Sequence, residues 1–451
     1  MLILGIILNI FITPHFYRWY IDEPNTLEKA RTIITGDEFT KPAFEHPIGW
    51  LLFLTTPFLM FGVDVGVALY ASSILGILTA INIFLIGCIL SKKRIGFIAG
   101  ALYLLIPTVL IYAGSAINNT PSNFFLTLAF IFILLSLKKT NKQDIKLTII
   151  FAIITIGIAS LFRTENHYLF VMYFVLLLVY KKPLRTAIIA TIIVLIIILP
   201  NITNSLDLYL GNKLAQSNIS ADTQTWSATN VFSNVETFKG LVNGKLHPMI
   251  FTALLLIGII SRFKTKQNII MLLWSIPILL SFTLYFDVPP RFMIGLYPLF
   301  CIMAAEGLNY LLEMKNLNRA IKVALPFLVL LSFVTPTIAI HNNISKQLVL
   351  ETRIPDMIKK DAPNCSIITI KPTIIRSTSN LEAIRIQDFL KGVKPRNSCI
   401  LFYEDIYCNG ALHREEECQT IKKEFKVKEY KTYSIKEAKQ TFYKIDLNKN
   451  Q

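Results

Sequence analysis

The sequence predicts a polytopic α-helical membrane protein of about 11 transmembrane helices, with a small exterior α/β domain at its C-terminus. Of the 451 residues, 53% are hydrophobic and 16% are charged, whereas soluble domains carry about 25% charged residues. Apolar runs recur from Leu2 to Ile340, and a run of roughly 20 such residues crosses the hydrocarbon core. After residue 345 the chain becomes polar. We therefore expect a transmembrane domain at 1–345 and a tail domain at 346–451.

Hydropathy and breaks in the apolar runs place the individual spans. We expect them near 2–16, 65–91, 95–112, 121–137, 147–162, 167–180, 186–200, 248–261, 268–285, 292–311 and 321–340. The first run lacks a basic leader and a small-residue cleavage site, so it is expected to be a retained helix. The segment Pro47–Gly62 is too short to cross and contains Pro57, so we expect a helix lying in the outer interface.

Charge in the short connections predicts the orientation. Five basic connections at 92–94, 138–146, 181–185, 262–266 and 313–322 hold sixteen Lys or Arg but only two acids. Such loops face the cytoplasm, which predicts a multi-pass plasma-membrane protein with a cytoplasmic N-terminus and an extracellular tail. The net charge of +16 is thereby assigned to orientation and the lipid surface, and no nucleic-acid partner is expected.

The first exterior loop, 17–64, concentrates carboxylates beside hydrocarbon. Its charged and titratable residues of interest are Asp22, Glu23, Glu28, Asp37, Glu38, Glu45 and His46. We expect Glu28, Asp37 and Glu38 to lie on an ordinary amphipathic surface helix with Arg31. The Asp22-Glu23 pair stands within a few residues of the first span, where a carboxylate can either cap the interface or serve chemistry.

Two arginines at span ends form a second group. Arg163 and Glu165 stand in "LFRTENH", and Arg291 follows two prolines in "DVPPRF". Residues two apart do not face one another on a helix, so Arg163 and Glu165 are each expected to need a separate partner. Arg291 is either a snorkelling anchor or a clamp for phosphate, whose oxygens match the guanidinium fork.

The tail alternates strand and helix patterns. "SIITI", "CILFYE", "KVKEYKTY" and "FYKIDL" predict strands, and "EAIRIQDFL" and "REEECQTIKKEF" predict helices. Its four cysteines allow three disulfide pairings. We expect Cys408 with Cys418 and Cys365 with Cys399; zinc binding is the less favoured alternative because no CxxC spacing occurs. Cys88 and Cys301 lie within spans and are expected to be core residues.

Three motifs in order resemble the GT-C glycosyltransferases, especially the dolichyl-phosphate-mannose protein mannosyltransferase and aminoarabinose transferase branch. They are "DEP" at Asp22, "EHPIGW" at Glu45, and "RFMIGLYP" at Arg291. The resemblance implies a GT-C-like fold and inverting transfer of a sugar from a polyprenyl (dolichyl) phosphate carrier to a protein, glycan or lipid acceptor at the outer face. It implies that Asp22 acts as catalytic base or positions the acceptor.

The remaining site residues are assigned beside that resemblance. Arg291 and then Arg163 are the expected phosphate-binding residues, and Glu23 accompanies Asp22 in the catalytic pair. Substrate-binding roles are expected for Glu45, His46, Asn119 and Glu165. We expect Asp22, Arg163 and Arg291 to converge on one pocket at the outer face.

Two departures bear on a metal. Asn119 stands in "INNTPS", where the family often has Asp, and an amide is neither a base nor a strong metal ligand. Glu45 and His46 together could bind a divalent cation, although His46 capping the interfacial helix is the favoured alternative. No cofactor is certain from the sequence.

Two other classes of protein stay open. A transporter or flippase of lipid-linked sugars would place ionisable residues near the bilayer midplane and show paired repeats. A membrane-anchored receptor would bind a partner through its tail, but this leaves the charges at the span ends unexplained.

Overall fold

Apolar helices followed by a small sheet make up the chain in the computed structural model. The structure describes residues 1–13, 15, 22–35, 48–199, 239, 247–261, 270–271, 273–279, 290–343, 346–370, 372, 375–376, 381–404, 408, 415–435 and 438–446. The chain divides into two units. The first comprises Met1–Pro14, Lys41–Phe53 and Leu69–His341, and the second comprises His15–Thr40, Leu54–Ala68 and Asn342–Gln451.

The helices before the tail follow the apolar runs. Their bounds are Leu2–Ile6, continuing in a wider helix at Ile7–Ile12, then Gly49–Phe61, Val65–Leu90, Lys93–Leu105, Pro107–Ala113, Asn119–Lys138, Lys142–Phe162, Tyr168–Val179, Leu184–Leu199, Met249–Ser261, Tyr297–Glu313 and Arg319–Asn343. Short 3-10 turns occupy Thr164–His167 and Pro290–Leu296.

Within the described residues, five helices are long and apolar enough to cross a membrane, or six if one bent pair counts as a single span. The bent pair is Lys93–Leu105 with Pro107–Ala113, at 68°. The sequence predicts one span over 95–112. It is broken because a residue before proline is pushed out of the helical region, and Ile106 has φ −67°, ψ 118°. A multi-span helical protein is confirmed, and the count of eleven stays a prediction.

Glycine governs one close helix crossing in the first unit. Helices Met249–Ser261 and Tyr297–Glu313 meet where Gly258 faces Gly307. A Cβ on Gly258 would collide with the carbonyl oxygen of Met303, and a Cβ on Gly307 would collide with that of Leu254. Because hydrocarbon gives no hydrophobic force between helices, such close backbone packing is what holds membrane helices together.

The tail contains a five-stranded mixed sheet. Its strands are β1 Cys365–Thr369, β2 Ala383–Arg385, β3 Cys399–Glu404, β4 Lys426–Ile435 and β5 Ala438–Asp446, in the order β2-β1-β3-β5-β4. Strands β1, β2 and β3 are parallel, and β5 runs antiparallel to both β3 and β4. Helices Lys346–Asp361, Ile386–Leu390 and Glu415–Glu424 accompany them. The predicted small C-terminal sheet domain is confirmed.

One predicted helix of the tail is wrong at its start. "EAIRIQDFL" begins as β2, and only Ile386–Leu390 is helical. Ala383 and Ile384 pair with Ile367 and Ile368 of β1. Edge pairing of these residues in a buried sheet overrides the helical preference of a short segment.

Both expected disulfides are present. Cys365 of β1 bonds to Cys399 of β3, its register partner in the sheet. Cys408 bonds to Cys418 of the helix Glu415–Glu424. The zinc alternative is wrong for these four cysteines, because their thiols are consumed by the disulfides.

Candidate active site

The structure describes only part of the expected site. Asn119, Arg163, Glu165 and Arg291 are described and lie in the first unit. Asp22 and Glu23 open the helix Asp22–Thr35 in the second unit, and their side chains lie outside the described residues. Glu45 and His46 also lie outside them. The expected convergence with Asp22 therefore stays a prediction.

Arg163 and Glu165 form an ion pair with each other. The Arg163 Nη2 donates to Glu165 Oε1 at 2.6 Å, and Nε donates to Oε2 at 3.3 Å. The expectation of separate partners is wrong. Arg163 is not helical: with φ −149° and ψ 127° it ends one helix in an extended conformation, so that its side chain reaches the carboxylate on the following 3-10 turn.

The Arg163–Glu165 ion pair, which we call the Arg163 corner, is largely shielded from solvent. The two side chains are 12% and 25% exposed. Burial by itself would raise the pKa of the Glu165 carboxyl, but the charge and hydrogen bonds of Arg163 hold it below its ordinary value. Glu165 is therefore ionised at neutral pH and fixes the guanidinium plane.

Arg291 lies on the 3-10 turn Pro290–Leu296, which leads into the helix Tyr297–Glu313. Asn119 Nδ2 donates to the Arg291 carbonyl oxygen at 3.0 Å, and Asn123 Nδ2 donates to the Ile294 carbonyl at 3.0 Å. Both asparagines are at most 4% exposed. The backbone that carries Arg291 is thus bound to the first turn of the helix Asn119–Lys138.

The Arg163 corner is bound to the same helix start. Asn118 Nδ2 donates to the Phe162 carbonyl at 3.2 Å. Asn166 Nδ2 lies 2.9 Å from Ser122 Oγ and 2.8 Å from the Ala159 carbonyl. We call Asn118, Asn119, Asn123 and Asn166 the asparagine cluster. It joins the two arginine-bearing segments to one helix end.

The motif "EHPIGW" contacts the same helix start through its last two residues, Gly49 and Trp50. Trp50 Nε1 donates to the Ala116 carbonyl at 2.8 Å, and a Cβ on Gly49 would lie 2.6 Å from the Leu161 carbonyl oxygen. Aromatic rings continue the contact, with Phe53 6.4 Å and Phe125 5.0 Å from the Phe162 ring, between centroids. Only glycine permits so close an approach beside the corner.

Sequence reasoning missed the asparagine cluster as a unit and two further residues. The available signal was the asparagine density of "INNTPSN" and "RTENH". His247 is 2% exposed, with Nδ1 3.1 Å from Tyr297 Oη and Nε2 2.9 Å from Thr252 Oγ1. Glu306 is 5% exposed in the middle of the helix Tyr297–Glu313. Glu306 is thus an ionisable residue within a helix, away from the helix ends where Arg163 and Arg291 lie.

A metal is not supported by the described side chains. No group of three or more His, Cys, Asp and Glu residues in the described part of the chain could hold an ion. Asn119 uses its amide nitrogen on a carbonyl, and Glu45 and His46 lie outside the described residues.

The chain is a multi-span helical membrane protein whose fold is similar to that of ArnT and of an archaeal oligosaccharyltransferase. The profile of the dolichyl-phosphate-mannose-protein mannosyltransferase family matches residues 45–203. This confirms the family resemblance over a segment that contains Asn119, Arg163 and Glu165 but neither Asp22 nor Arg291. No curated protein matches the chain.

Solved structures extend the likeness to nearly the whole chain. ArnT from Cupriavidus metallidurans bound to undecaprenyl phosphate superposes with TM-score 0.63 at 12% identity, covering 98% of this chain and 96% of ArnT. The Archaeoglobus fulgidus oligosaccharyltransferase in complex with Zn and sulfate gives 0.55 at 13%, covering 99% and 73%. AglB from the same organism, with an inhibitory peptide and a dolichol-phosphate, gives 0.53 at 13%, covering 99% and 74%. At these identities the likeness shows the fold.

Proposed function

We propose that this protein is an integral membrane glycosyltransferase that moves a sugar from a polyprenyl (dolichyl) phosphate carrier to an acceptor, with inversion at the anomeric carbon. The observation that carries the proposal is the joining of the Arg163 and Arg291 segments to one helix end by the asparagine cluster. The undecaprenyl phosphate bound to ArnT and the dolichol-phosphate bound to AglB support the same class of donor.

Arg291 and Arg163 bind the donor phosphate in this proposal. When the bond between the anomeric carbon and the phosphate oxygen breaks, negative charge grows on the departing polyprenyl phosphate. A guanidinium held in advance stabilises that charge without reorganising during the reaction. Glu165 orients Arg163 by two hydrogen bonds, and the Asn119 amide holds the Arg291 backbone.

Asp22 is the proposed base, with Glu23 beside it in the sequence. The acceptor hydroxyl oxygen forms the new bond to the anomeric carbon while its proton passes to the Asp22 carboxylate. Attack from the face opposite the leaving phosphate inverts the configuration, as in other inverting sugar transfers that use one carboxylate base. The phosphate leaves as an anion and needs no general acid.

The membrane setting follows from charge placement. Basic connections such as Lys92–Arg94 are proposed to face the cytoplasm, which leaves the N-terminus inside and the tail outside the plasma membrane. The acceptor, a protein hydroxyl, a glycan or a lipid, is proposed to approach from the outer face. About 11 spans remain part of this proposal, and the bilayer supplies the donor's lipid chain.

The test uses the purified full chain in lipid nanodiscs with polyprenyl-phosphate sugars as donors. We expect wild-type transfer, and we expect Asp22→Asn and Arg291→Ala to lower kcat/KM at least roughly 100-fold. Arg94→Ala is the matched control, because it removes an exposed arginine from a basic connection. Full activity in both site variants would refute the assigned roles, and absence of transfer from every polyprenyl-phosphate donor would refute the function.

Glu306 separates this proposal from a transporter. An ionisable residue inside a span is typical of transport pathways, and among the described residues Glu306 is a buried carboxyl that such a pathway would use. We expect Glu306→Gln to keep sugar transfer within a few-fold of the wild type. If Glu306→Gln abolishes the movement of lipid-linked sugars across vesicle membranes, and neither the wild type nor the variant transfers sugar to an acceptor, the transporter interpretation is correct.

A further inference from the structure

The first-loop helix Asp22–Thr35 and the tail domain belong to one unit. One face of this helix is buried there: Leu27 is 2% exposed and Ala30 is fully buried. Residues three apart lie on the same face of a helix. The helix is therefore packed by one face, as the expected amphipathic helix would be.

Two polar contacts fasten the helix to a single residue of the tail. Glu28 Oε1 lies 2.9 Å from Arg376 Nε, with side chains 25% and 35% exposed. Arg31 Nη1, one turn later, donates to the Arg376 carbonyl oxygen at 2.5 Å. The Arg376 side chain thus contacts Glu28, and its backbone contacts Arg31 one turn further along the same helix.

The electrostatics of this contact are those of a partly desolvated ion pair. Burial raises the pKa of the Glu28 carboxyl, and the charges of Arg376 and Arg31 oppose that rise. Removing either arginine would therefore leave the partly buried Glu28 carboxylate with less of the positive charge that stabilises it. Truncating one partner of such a pair costs more than the pair itself contributes.

We propose that the tail domain, through Arg376, positions the first-loop helix and so Asp22, with Glu28 and Arg31 as the receiving residues. This rests on the proposed function, in which Asp22 is the base. Asp22 begins the helix only about 9 Å before Glu28, at about 1.5 Å of rise per residue. A helix fixed at two successive turns has a fixed axis, so the tail sets where its first residue lies.

The proposal gives the tail a role in catalysis. Glu28, Arg31 and Arg376 are positioning residues, because they act through the helix and are not proposed to touch donor or acceptor. Their loss should lower turnover while donor affinity stays, since Arg163 and Arg291 are proposed to hold the phosphate. A receptor-like tail that binds a separate partner would not show this split.

The test is a charge swap in the full-length protein in nanodiscs. Glu28→Arg and Arg376→Glu each place like charges together, and the double variant restores an opposite pair. We expect each single variant to lower kcat roughly 10- to 100-fold with donor KM within about twofold, and the double variant to recover most of the loss. Glu28→Gln, which keeps the side-chain shape, provides a milder variant if the reversals fold poorly.

The matched control is the Lys422–Glu404 pair, which lies within the tail at 2.6 Å. Its swap should leave kcat unchanged. A second readout needs no activity: amide hydrogen exchange of residues 22–35 should quicken in the single variants and slow again in the double variant.

The outcomes separate the two proposals. If exchange over residues 22–35 is the same in all variants, the fastening is refuted. If exchange quickens while kcat of an active wild type is unchanged, positioning of Asp22 is refuted. If the wild type transfers no sugar, the proposed function fails, while the exchange measurement still decides whether the tail holds the helix.

Discussion

Replacement of Asn119 tests the arrangement of the candidate site most directly. Its amide nitrogen donates to the Arg291 carbonyl at 3.0 Å, and the side chain is 4% exposed. Asn119→Ala leaves this carbonyl without its donor, which costs about 1–3 kcal/mol for a buried group. Since roughly 1.4 kcal/mol is a factor of ten, the equilibrium constant that favours the native geometry of the Arg291 turn falls roughly 5- to 150-fold.

Asn119→Asp sharpens the test, because aspartate is the residue that the family often has here. A carboxylate cannot donate, and it would face the Arg291 carbonyl oxygen. We therefore expect Asn119→Asp to be no more active than Asn119→Ala, in spite of the resemblance. The assay is initial-rate transfer from a polyprenyl-phosphate donor, giving kcat and donor KM separately, with the larger effect in donor KM.

Asn82→Ala is the matched control. Asn82 is also a buried asparagine, 6% exposed, whose Nδ2 donates to the Phe124 carbonyl at 3.2 Å and to Thr127 Oγ1 at 3.1 Å. It should lower the unfolding midpoint similarly to Asn119→Ala but leave the activity of folded protein unchanged. If Asn119→Ala keeps the donor KM of the wild type, or if Asn119→Asp is more active than Asn119→Ala, the proposed role of the asparagine cluster is refuted.

Three further predictions concern the corner, a helix crossing and the tail. Because Arg163 lowers the pKa of Glu165, the ion pair stabilises the folded protein at any pH above the ordinary carboxyl pKa, and this stabilisation is lost as the pH falls through the lowered pKa. The free energy of unfolding of Glu165→Gln should therefore depend less on pH in the acidic range than that of the wild type. An unchanged dependence would contradict the assignment. Gly258→Ala should lower the unfolding midpoint, because its new Cβ would collide with the backbone of the facing helix and overpacking costs about 1–3 kcal/mol or more of stability. An unfolding midpoint equal to that of the wild type would refute the close approach of the two helices. The disulfide Cys365–Cys399 closes a loop of 34 residues and Cys408–Cys418 one of 10, and a longer loop loses more entropy when it is closed. Replacing the first pair by serine should therefore cost about 4 kcal/mol of tail stability in denaturant unfolding, against about 3 kcal/mol for the second pair. The reverse order would contradict this dependence on loop length.

Sequence patterns predicted the elements that local physics governs. Apolar length predicted the helices because hydrocarbon excludes unpaired backbone groups, and the spans at 65–91, 121–137 and 147–162 correspond to long apolar helices. Short runs with β-branched and aromatic residues predicted four of the five strands. β2 was missed because Ala383–Arg385 is strand only by virtue of its pairing with β1.

The candidate site divides in the same way. Charged residues at span ends were found from the sequence, because their position beside hydrocarbon is unusual whatever they contact. Their partners were not found. The ion pair of Arg163 with Glu165 depends on one extended residue at a helix end, and the contact between Glu28 and Arg376 joins positions that no local pattern connects.

The sequence by itself determined that this is a multi-span membrane protein with a disulfide-bonded tail and charged span ends, because hydropathy, residue type and cysteine count act residue by residue. Only the tertiary structure decided that the segments carrying Arg163 and Arg291 share one helix start, and that Arg376 holds the first-loop helix. Buried amides and carboxylates must each find a partner, and which partner is available depends on the backbone that packing brings within about 3 Å.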